Sequence, residues 1–170
     1  MGRKTIYENP AISIMEADKH GKAYIYSHDT YSNGRRVLIL PYRKHIGGHE
    51  FLLRREIIPC WDEAADTCAV STRVKNNDVE QTIIDELEEL TGYDIKAKEL
   101  IHLGLCMGSK TTDTVYELYT VNLSDRGSEE LPYHIENGEH SFWGKDDDVL
   151  KSIDAHLITC FTRLTHLIGI

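Results

Sequence analysis

The chain has 170 residues, 41% of them hydrophobic and 28% charged, as expected for one globular domain with a buried core. Its formal net charge of −9 argues against a general nucleic-acid or anionic-membrane binder, because such proteins need a basic surface. A small phosphorylated ligand stays open, since a local basic pocket or a metal ion can serve it. No apolar run approaches the roughly 20 residues that span a bilayer, and the N-terminal residues lack an apolar signal region, so we expect a cytoplasmic protein without a membrane segment.

The first part of the chain predicts strands separated by short turns. Residues 4–17 predict two strands broken at an Asn-Pro pair, and residues 22–28 predict a third. The apolar run RVLILPY at 36–42 is typical of a central strand that is buried on both faces. Two further strands are predicted at 50–58 and 67–74.

The strongest periodic pattern lies at 77–93 and predicts a helix. Its apolar residues recur at spacings of four, four and three, so they share one face. Asn77 or Asp78 can cap the first turn, and Gly92 can end the helix in a left-handed turn. The residues of the apolar face are Val79, Ile83, Leu87 and Leu90.

Two carboxylates of this helix, Glu86 and Glu89, are three residues apart and project together from the edge of the apolar stripe. A carboxylate pair held in this way could bind a hard cation such as Mg²⁺. The alternative is an amphipathic helix with a solvated acidic face.

The order of elements after the helix completes an α+β domain. Strands are predicted at 94–103 and 114–123, and apolar residues at helical spacing predict a final helix at 148–168. We expect one layered domain over 1–170, with N-terminal strands at 4–28, a core at 36–123 and this C-terminal helix.

Residues 71–93 align without a gap to the Nudix box, G-x5-E-x7-R-E-U-x-E-E-x-G-U, in which U is a bulky apolar residue. The predicted helix and its glycine turn fall where that family has its loop–helix–loop. The matching positions are Glu86, Leu87, Glu89, Gly92 and Tyr93.

The wider chain resembles one branch of the Nudix hydrolase superfamily, the ADP-ribose pyrophosphatases. The resemblance lies in TIYENPAISIMEA, in RVLILPYRK followed by EFLLRREII, in the Gly-Ser loop at 108–109 before TVYELYTVNL, and in the final helix. It implies the Nudix fold, an α/β/α sandwich with a mixed sheet, and hydrolysis of a nucleoside diphosphate linked to another group with Mg²⁺ or Mn²⁺. It also implies a homodimer formed through the N-terminal strands.

The box departs from the family pattern at four positions. Asp85 replaces the arginine that orients a catalytic glutamate, and Leu90 replaces the second paired glutamate, a metal ligand. Leucine supplies no oxygen, so the remaining carboxylates would hold Mg²⁺ more weakly. The other two departures are Ser71 for glycine and Asn77 for glutamate.

The candidate site residues follow from the resemblance and from residue type. Glu86 and Glu89 are the candidate catalytic and metal-binding residues, and Glu117 is a candidate third ligand unless it faces solvent. Arg54 and Arg55 are candidate phosphate ligands, because a guanidinium forks onto phosphate oxygens; pairing with a neighbouring acid is the alternative.

Two further sets of side chains are weaker candidates. A loop carboxylate could activate water, although a solvated role explains each one alone; the set is Glu129, Glu130, Glu136 and Glu139. Three aromatic residues could stack on a base, although core packing explains them too; they are Tyr42, Trp61 and Tyr116.

Three functions are compatible with these features. The first is a divergent Nudix pyrophosphohydrolase acting on ADP-ribose, a nucleotide sugar or a similar nucleoside diphosphate derivative. The second is a catalytically silent Nudix domain that binds a nucleotide or a protein partner, which Asp85 and Leu90 favour. The third is a purely structural or dimeric scaffold.

Overall fold

The computed structural model describes residues 3–61, 64–126, 131 and 139–170. A three-stranded antiparallel sheet opens the chain and confirms the strands predicted over 4–28. It comprises β1 (Arg3–Glu8), β2 (Ile12–Lys19) and β3 (Lys22–Asp29), in the order β1-β2-β3. The turn between β2 and β3 is closed by Gly21, which has a φ of 77° and whose N–H donates to Oδ1 of Asp18.

A seven-stranded mixed sheet forms the centre of the molecule. Six strands lie in the order β10-β6-β7-β4-β9-β8, and β5 pairs with β6. The pair β4–β9 is parallel and every other pair is antiparallel. The strands are β4 (Arg35–Ile39), β5 (Tyr42–His45), β6 (Gly48–Ile57), β7 (Ala65–Arg73), β8 (Ile101–Met107), β9 (Val115–Thr120) and β10 (His140–Gly144).

Two predicted strands differ in their bounds. The predicted strand 36–42 is interrupted at Pro41, which has no N–H to donate, so β4 ends at Ile39 and β5 begins at Tyr42. The predicted strand 94–103 begins only at Ile101, because a 3₁₀ turn at Ala97–Glu99 precedes it. That turn is closed by the Lys96 N–H, which donates to the Glu99 carboxylate.

The predicted central helix is α1 (Val79–Thr91), and its capping residues set its bounds. The Asp78 carboxylate accepts a hydrogen bond from the Gln81 N–H, and Gly92 ends the helix with a φ of 72°. Ile83 and Leu87 are fully buried on the apolar face, as the periodicity predicts.

The single helix predicted over 148–168 was wrong, because the chain breaks into α2 (Asp146–Leu150) and α3 (Ala155–Ile168). The Ser152 hydroxyl donates to the Thr67 carbonyl on β7, which pulls the chain out of helical geometry. Asp154 then caps the new helix by accepting from the His156 N–H. No helix in the described part of the chain is long and apolar enough to cross a membrane.

The mixed sheet is covered on both faces, which makes the α/β/α sandwich. Strand side chains alternate between faces. The first core lies on the α3 face, where Leu38, Leu53 and Leu118 pack with Leu157 and Phe161. The second core lies on the α1 face and includes Val37, Leu52, Val70, Ile83 and Leu87.

The N-terminal sheet is attached to the rest of the domain through the loop before β9. The Ser27 N–H donates to the Thr111 carbonyl, and the Asp113 N–H donates to the Ser27 carbonyl. The His28 imidazole also pairs with the Asp113 carboxylate at 3.0 Å. These contacts hold the N-terminal sheet beside the mixed sheet and leave a cleft between them.

Candidate functional site

The cleft between the two sheets has a volume of about 720 Å³. Its walls come from β2 and β3, from the ends of β4, β6, β7 and β9, from the loop at 108–114 and from the start of α3. Ligand pockets of drug-sized molecules have volumes of about 300–1,000 Å³, so the cleft can hold a nucleotide derivative.

One wall of the cleft carries two arginines that share a single carboxylate. Arg36 on β4 and Arg73 on β7 are direct partners across the antiparallel pair. The Arg36 guanidinium lies 3.3 Å from Oδ2 of Asp29, and Nε of Arg73 lies 3.8 Å from the same oxygen. Two positive charges against one negative charge leave this wall positive. Guanidinium groups in such a position suit phosphate recognition.

The shared carboxylate is ionised in this setting. Burial alone would raise the pKa of Asp29, but hydrogen bonds from Ser32 and the charge of Arg36 outweigh it and lower the pKa. Asp29 therefore fixes the two guanidinium groups and cancels only one of their two positive charges.

An aromatic pair lies beside the arginines, because Tyr116 on β9 is the direct strand neighbour of Arg36 on β4. The Tyr116 ring stacks on the His156 ring, with centroids 4.2 Å apart and an angle of 29° between the planes. Asp154, the cap of α3, lies 3.6 Å from Nδ1 of His156. Trp61, which is 42% exposed, also lines the cleft. Flat aromatic faces of this kind can stack on a base.

A neighbouring groove of about 730 Å³ extends the positive surface. It shares Arg36, Ser71 and Arg73 with the cleft and adds Lys75 and Tyr31. The Arg73 guanidinium lies over the Tyr31 ring, 4.7 Å from its centroid. The positive wall therefore continues from the cleft toward the loop before α1.

The candidate metal ligands on α1 do not line the cleft. Glu86 is half-buried and lies near Thr72 and Arg54. Burial raises the pKa of Glu86, although a hydrogen bond from Thr72 and the charge of Arg54 oppose this rise. Glu89 is exposed on the next turn, and Leu90 packs against the second core.

The two candidate phosphate ligands on β6 do not line the cleft. Nε of Arg54 lies 3.0 Å from Oε1 of Glu56, and Nη1 lies 3.9 Å from Oε1 of Glu86. The Arg54 Nε–H donates to no hydrogen bond within the described residues, so the contact with Glu56 is an ion pair. Arg55 lies on the other face of the strand and donates to the Thr67 hydroxyl.

Glu56, which the sequence did not single out, connects this cluster to the cleft that it lines. Burial raises its pKa, Arg54 opposes the rise, and the charges of Glu139, Asp154 and Glu86 add to it. The alternation of Arg54 with Glu56 along one strand face is the sequence signal that could have identified it.

The remaining candidates have partners of their own. Glu117 lies 2.6 Å from Nη2 of Arg35. The Glu139 carboxylate accepts a hydrogen bond from the Ile57 N–H. Tyr42 is buried in the first core, whereas Trp61 and Tyr116 line the cleft. The other loop carboxylates, Glu129, Glu130 and Glu136, lie outside the described residues.

The side chains present do not fit a divalent cation. Within residues 3–61, 64–126, 131 and 139–170, no three carboxylate, imidazole or thiol side chains converge as metal ligands. The Arg54 guanidinium faces Glu86, and the position that follows Glu89 is a leucine. Mg²⁺ is usually held by one or two carboxylates together with waters and phosphates, and here a guanidinium already occupies the place beside the half-buried carboxylate.

No family model matches the sequence, and a comparison with curated proteins found no match either.

Solved structures do match. An ADP compounds hydrolase aligns over 99% of this chain and 92% of its own, with 15% identity and a TM-score of 0.66. The NUDIX domain of Shewanella oneidensis NrtR, complexed with ADP ribose, aligns over 78% and 87%, with 17% identity and a TM-score of 0.60. The C-terminal domain of mouse MUTYH, in complex with human PCNA, aligns over 79% and 89%, with 16% identity and a TM-score of 0.58.

These similarities define the class of fold. The chain has the Nudix fold, an α/β/α sandwich with a mixed sheet, as the sequence predicted. At identities of 15–17% the similarity establishes the fold and leaves the activity to the residues of the site.

Proposed function

We propose that this protein binds a nucleoside diphosphate derivative, such as ADP-ribose or a nucleotide sugar, in the cleft between its two sheets. The observation that carries the proposal is the positive wall formed by Arg36 and Arg73 around the single carboxylate of Asp29. Phosphate oxygens would complete the hydrogen bonding of two guanidinium groups that Asp29 holds in place.

The rest of the cleft supports the same class of ligand. Tyr116, His156 and Trp61 offer aromatic faces to a base, and hydroxyl groups of the 108–114 loop offer hydrogen bonds to a sugar. Two of the similar structures, one named as an ADP compounds hydrolase and one complexed with ADP ribose, support a diphosphate ligand for this fold.

A substitution in the positive wall tests this proposal by isothermal titration with ADP-ribose. Losing a charged hydrogen bond costs about 1.5–3 kcal/mol, so Arg36→Met should weaken binding by roughly 10- to 150-fold. Arg126→Met is the matched control, because Arg126 is equally exposed and ion-paired, with Glu99, but lies outside the cleft. Equal affinities for the wild type and Arg36→Met would contradict the proposal.

A second candidate, a pyrophosphohydrolase, is favoured by the carboxyl groups of Glu56 and Glu86. Both have a raised pKa, and Glu56 lines the cleft, where it can accept a proton from an attacking water. The sequence-based assignment of Glu86 and Glu89 as catalytic ligands of Mg²⁺ or Mn²⁺, with Glu117 as a third, belongs to this candidate. Arg54 and Arg55 as phosphate ligands belong to it as well.

Release of AMP from ADP-ribose distinguishes the two candidates. Hydrolysis that is abolished in both Glu56→Gln and Glu86→Gln would establish the enzyme. Binding of ADP-ribose without AMP release would establish the catalytically silent domain.

Self-association through the N-terminal sheet and a cytoplasmic location are further parts of the proposal. The N-terminal sheet exposes Ile6, Tyr7 and Ile25, which a second copy of the chain could cover. Light scattering of the wild type beside Ile6→Ser/Ile25→Ser tests the dimer, and a monomeric wild type would contradict it.

A further inference from the structure

The feature that the proposed function leaves unexplained is an arginine held between carboxylates of two different elements. Arg54 lies on β6 on the same face as Leu52, which packs against α1 in the second core. Its guanidinium faces Glu56 on the same strand and Glu86 on α1, at 3.0 and 3.9 Å. All three side chains are largely enclosed, at 24%, 22% and 16% exposed.

The two carboxylates need a cation between them. Both are partly buried; burial raises the pKa of Glu56, and the charges of Glu139, Asp154 and Glu86 add to the rise. Like charges gathered in a partly buried place disfavour the ionised forms. The Arg54 guanidinium opposes this effect at both Glu56 and Glu86.

The same place is unsuited to a divalent ion. Leu90, one turn beyond Glu86, packs its side chain against the second core and supplies no oxygen. The guanidinium lies where an ion shared by Glu56 and Glu86 would have to bind, and its positive charge would repel that ion.

We propose that the Arg54 guanidinium is the cation of this site and takes the place of a divalent metal between β6 and α1. The protein then needs no metal to fold or to bind its ligand. This inference concerns the cation alone and is tested without any nucleotide, so it can fail independently of the proposed function.

The test is a titration of the purified protein with Mn²⁺, followed by the electron paramagnetic resonance signal of the free ion. The wild type should bind no Mn²⁺ at concentrations up to about 1 mM, which is the weak end of protein sites for divalent ions. Arg54→Met/Leu90→Glu removes the guanidinium and adds a carboxylate, and it should bind Mn²⁺ at least about tenfold more tightly than Leu90→Glu alone.

The matched control is Arg43→Met/Leu90→Glu. Arg43 also forms an enclosed ion pair, on the neighbouring strand β5, 2.8 Å from Glu50. This control should bind Mn²⁺ no better than Leu90→Glu. Equal affinities for the two double variants would overturn the inference.

A measurement on the wild type keeps the inference testable if the double variant does not fold. A ligand that binds only the native state stabilises it by RT ln(1 + L/Kd), where L is the ligand concentration, so the melting temperature rises as the ligand concentration exceeds the dissociation constant Kd. We expect the melting temperature to be the same in 5 mM Mn²⁺ and in EDTA. A rise with Mn²⁺ that Glu86→Gln abolishes would show a metal site and would overturn the inference.

Discussion

Removing the charge of Arg54 should destabilise the protein in a way that depends on pH. Arg54→Met keeps the length of the apolar stem but removes the guanidinium that lies beside both Glu56 and Glu86, and it leaves Glu86 only the charge of Lys75. Breaking a buried ion pair costs about 3–5 kcal/mol, and an exposed pair is worth about 0–1 kcal/mol. Since these side chains are between 16% and 24% exposed, we expect a loss of about 2 kcal/mol at pH 7.

The sign of the pH dependence follows from the direction of the pKa shifts. Burial raises the pKa of Glu56 and of Glu86 above the ordinary value of 4.5. A carboxyl group with a raised pKa contributes stability that is complete below its unfolded pKa and is lost as the pH rises through its folded pKa. Without Arg54 both folded pKa values rise further, so the variant loses more stability over the same pH range.

The assay is urea denaturation of the wild type and Arg54→Met at several pH values from 4.5 to 7.5. The difference in the free energy of unfolding between the wild type and Arg54→Met should be small at pH 4.5 and should increase toward pH 7.5. Arg54→Met/Glu86→Gln should recover a large part of the loss, because only one carboxylate remains to be neutralised. A difference in the free energy of unfolding that is the same at every pH would refute the charge argument and indicate lost packing instead.

Three further changes test other parts of the account. Leu87→Ala, in the second core under α1, should cost about 2–5 kcal/mol in chemical denaturation, and a loss under 1 kcal/mol would show that α1 packs loosely. Asp154→Ala removes the α3 cap and the acceptor of the Ala69 N–H, and should lower the free energy of unfolding by about 1–3 kcal/mol. Hydrogen bonds from His156, Ala69 and Leu157 outweigh burial and lower the pKa of Asp154, so this stabilisation should be present at neutral pH and vanish as the pH falls below the ordinary carboxyl range. Gly92→Ala places a Cβ at a φ of 72° and should cost about 1 kcal/mol by thermal denaturation, whereas an unchanged melting temperature would show that the C-terminal turn of α1 is not strained.

The helix α1 could be predicted closely because its signals are local. Asp78 and Gly92 stop the helix at each end, and the apolar spacing identifies the face that packs on the sheet. The same local chemistry broke the C-terminal helix that the periodicity predicts, so that α3 begins only at Ala155. Ser152 and Asp154 form hydrogen bonds that a helix at these residues would lack, so capping prevailed over the apolar pattern.

The cleft could not be predicted because its charges come from distant parts of the chain. Asp29, Arg36 and Arg73 meet only when β7 pairs with β4 and the N-terminal sheet that holds β3 packs beside the mixed sheet, and that depends on strand order and register. Residue type marked Arg54 as a candidate phosphate ligand, and the structure places its guanidinium beside Glu56 and Glu86. Its partners depend on which face of β6 packs against α1, and a run of mixed residues such as RRE does not fix that face.

We propose that the cleft binds a nucleoside diphosphate derivative and that the Arg54 guanidinium takes the place of a divalent metal ion. The most direct measurement is isothermal titration of the wild type with ADP-ribose in EDTA and again in Mn²⁺, with AMP assayed in both mixtures. We expect the wild type to bind ADP-ribose with the same affinity in EDTA and in Mn²⁺ and to release no AMP. Arg36→Met should weaken this binding in both conditions. Binding that requires Mn²⁺, with AMP release that Glu86→Gln abolishes, would contradict the proposal.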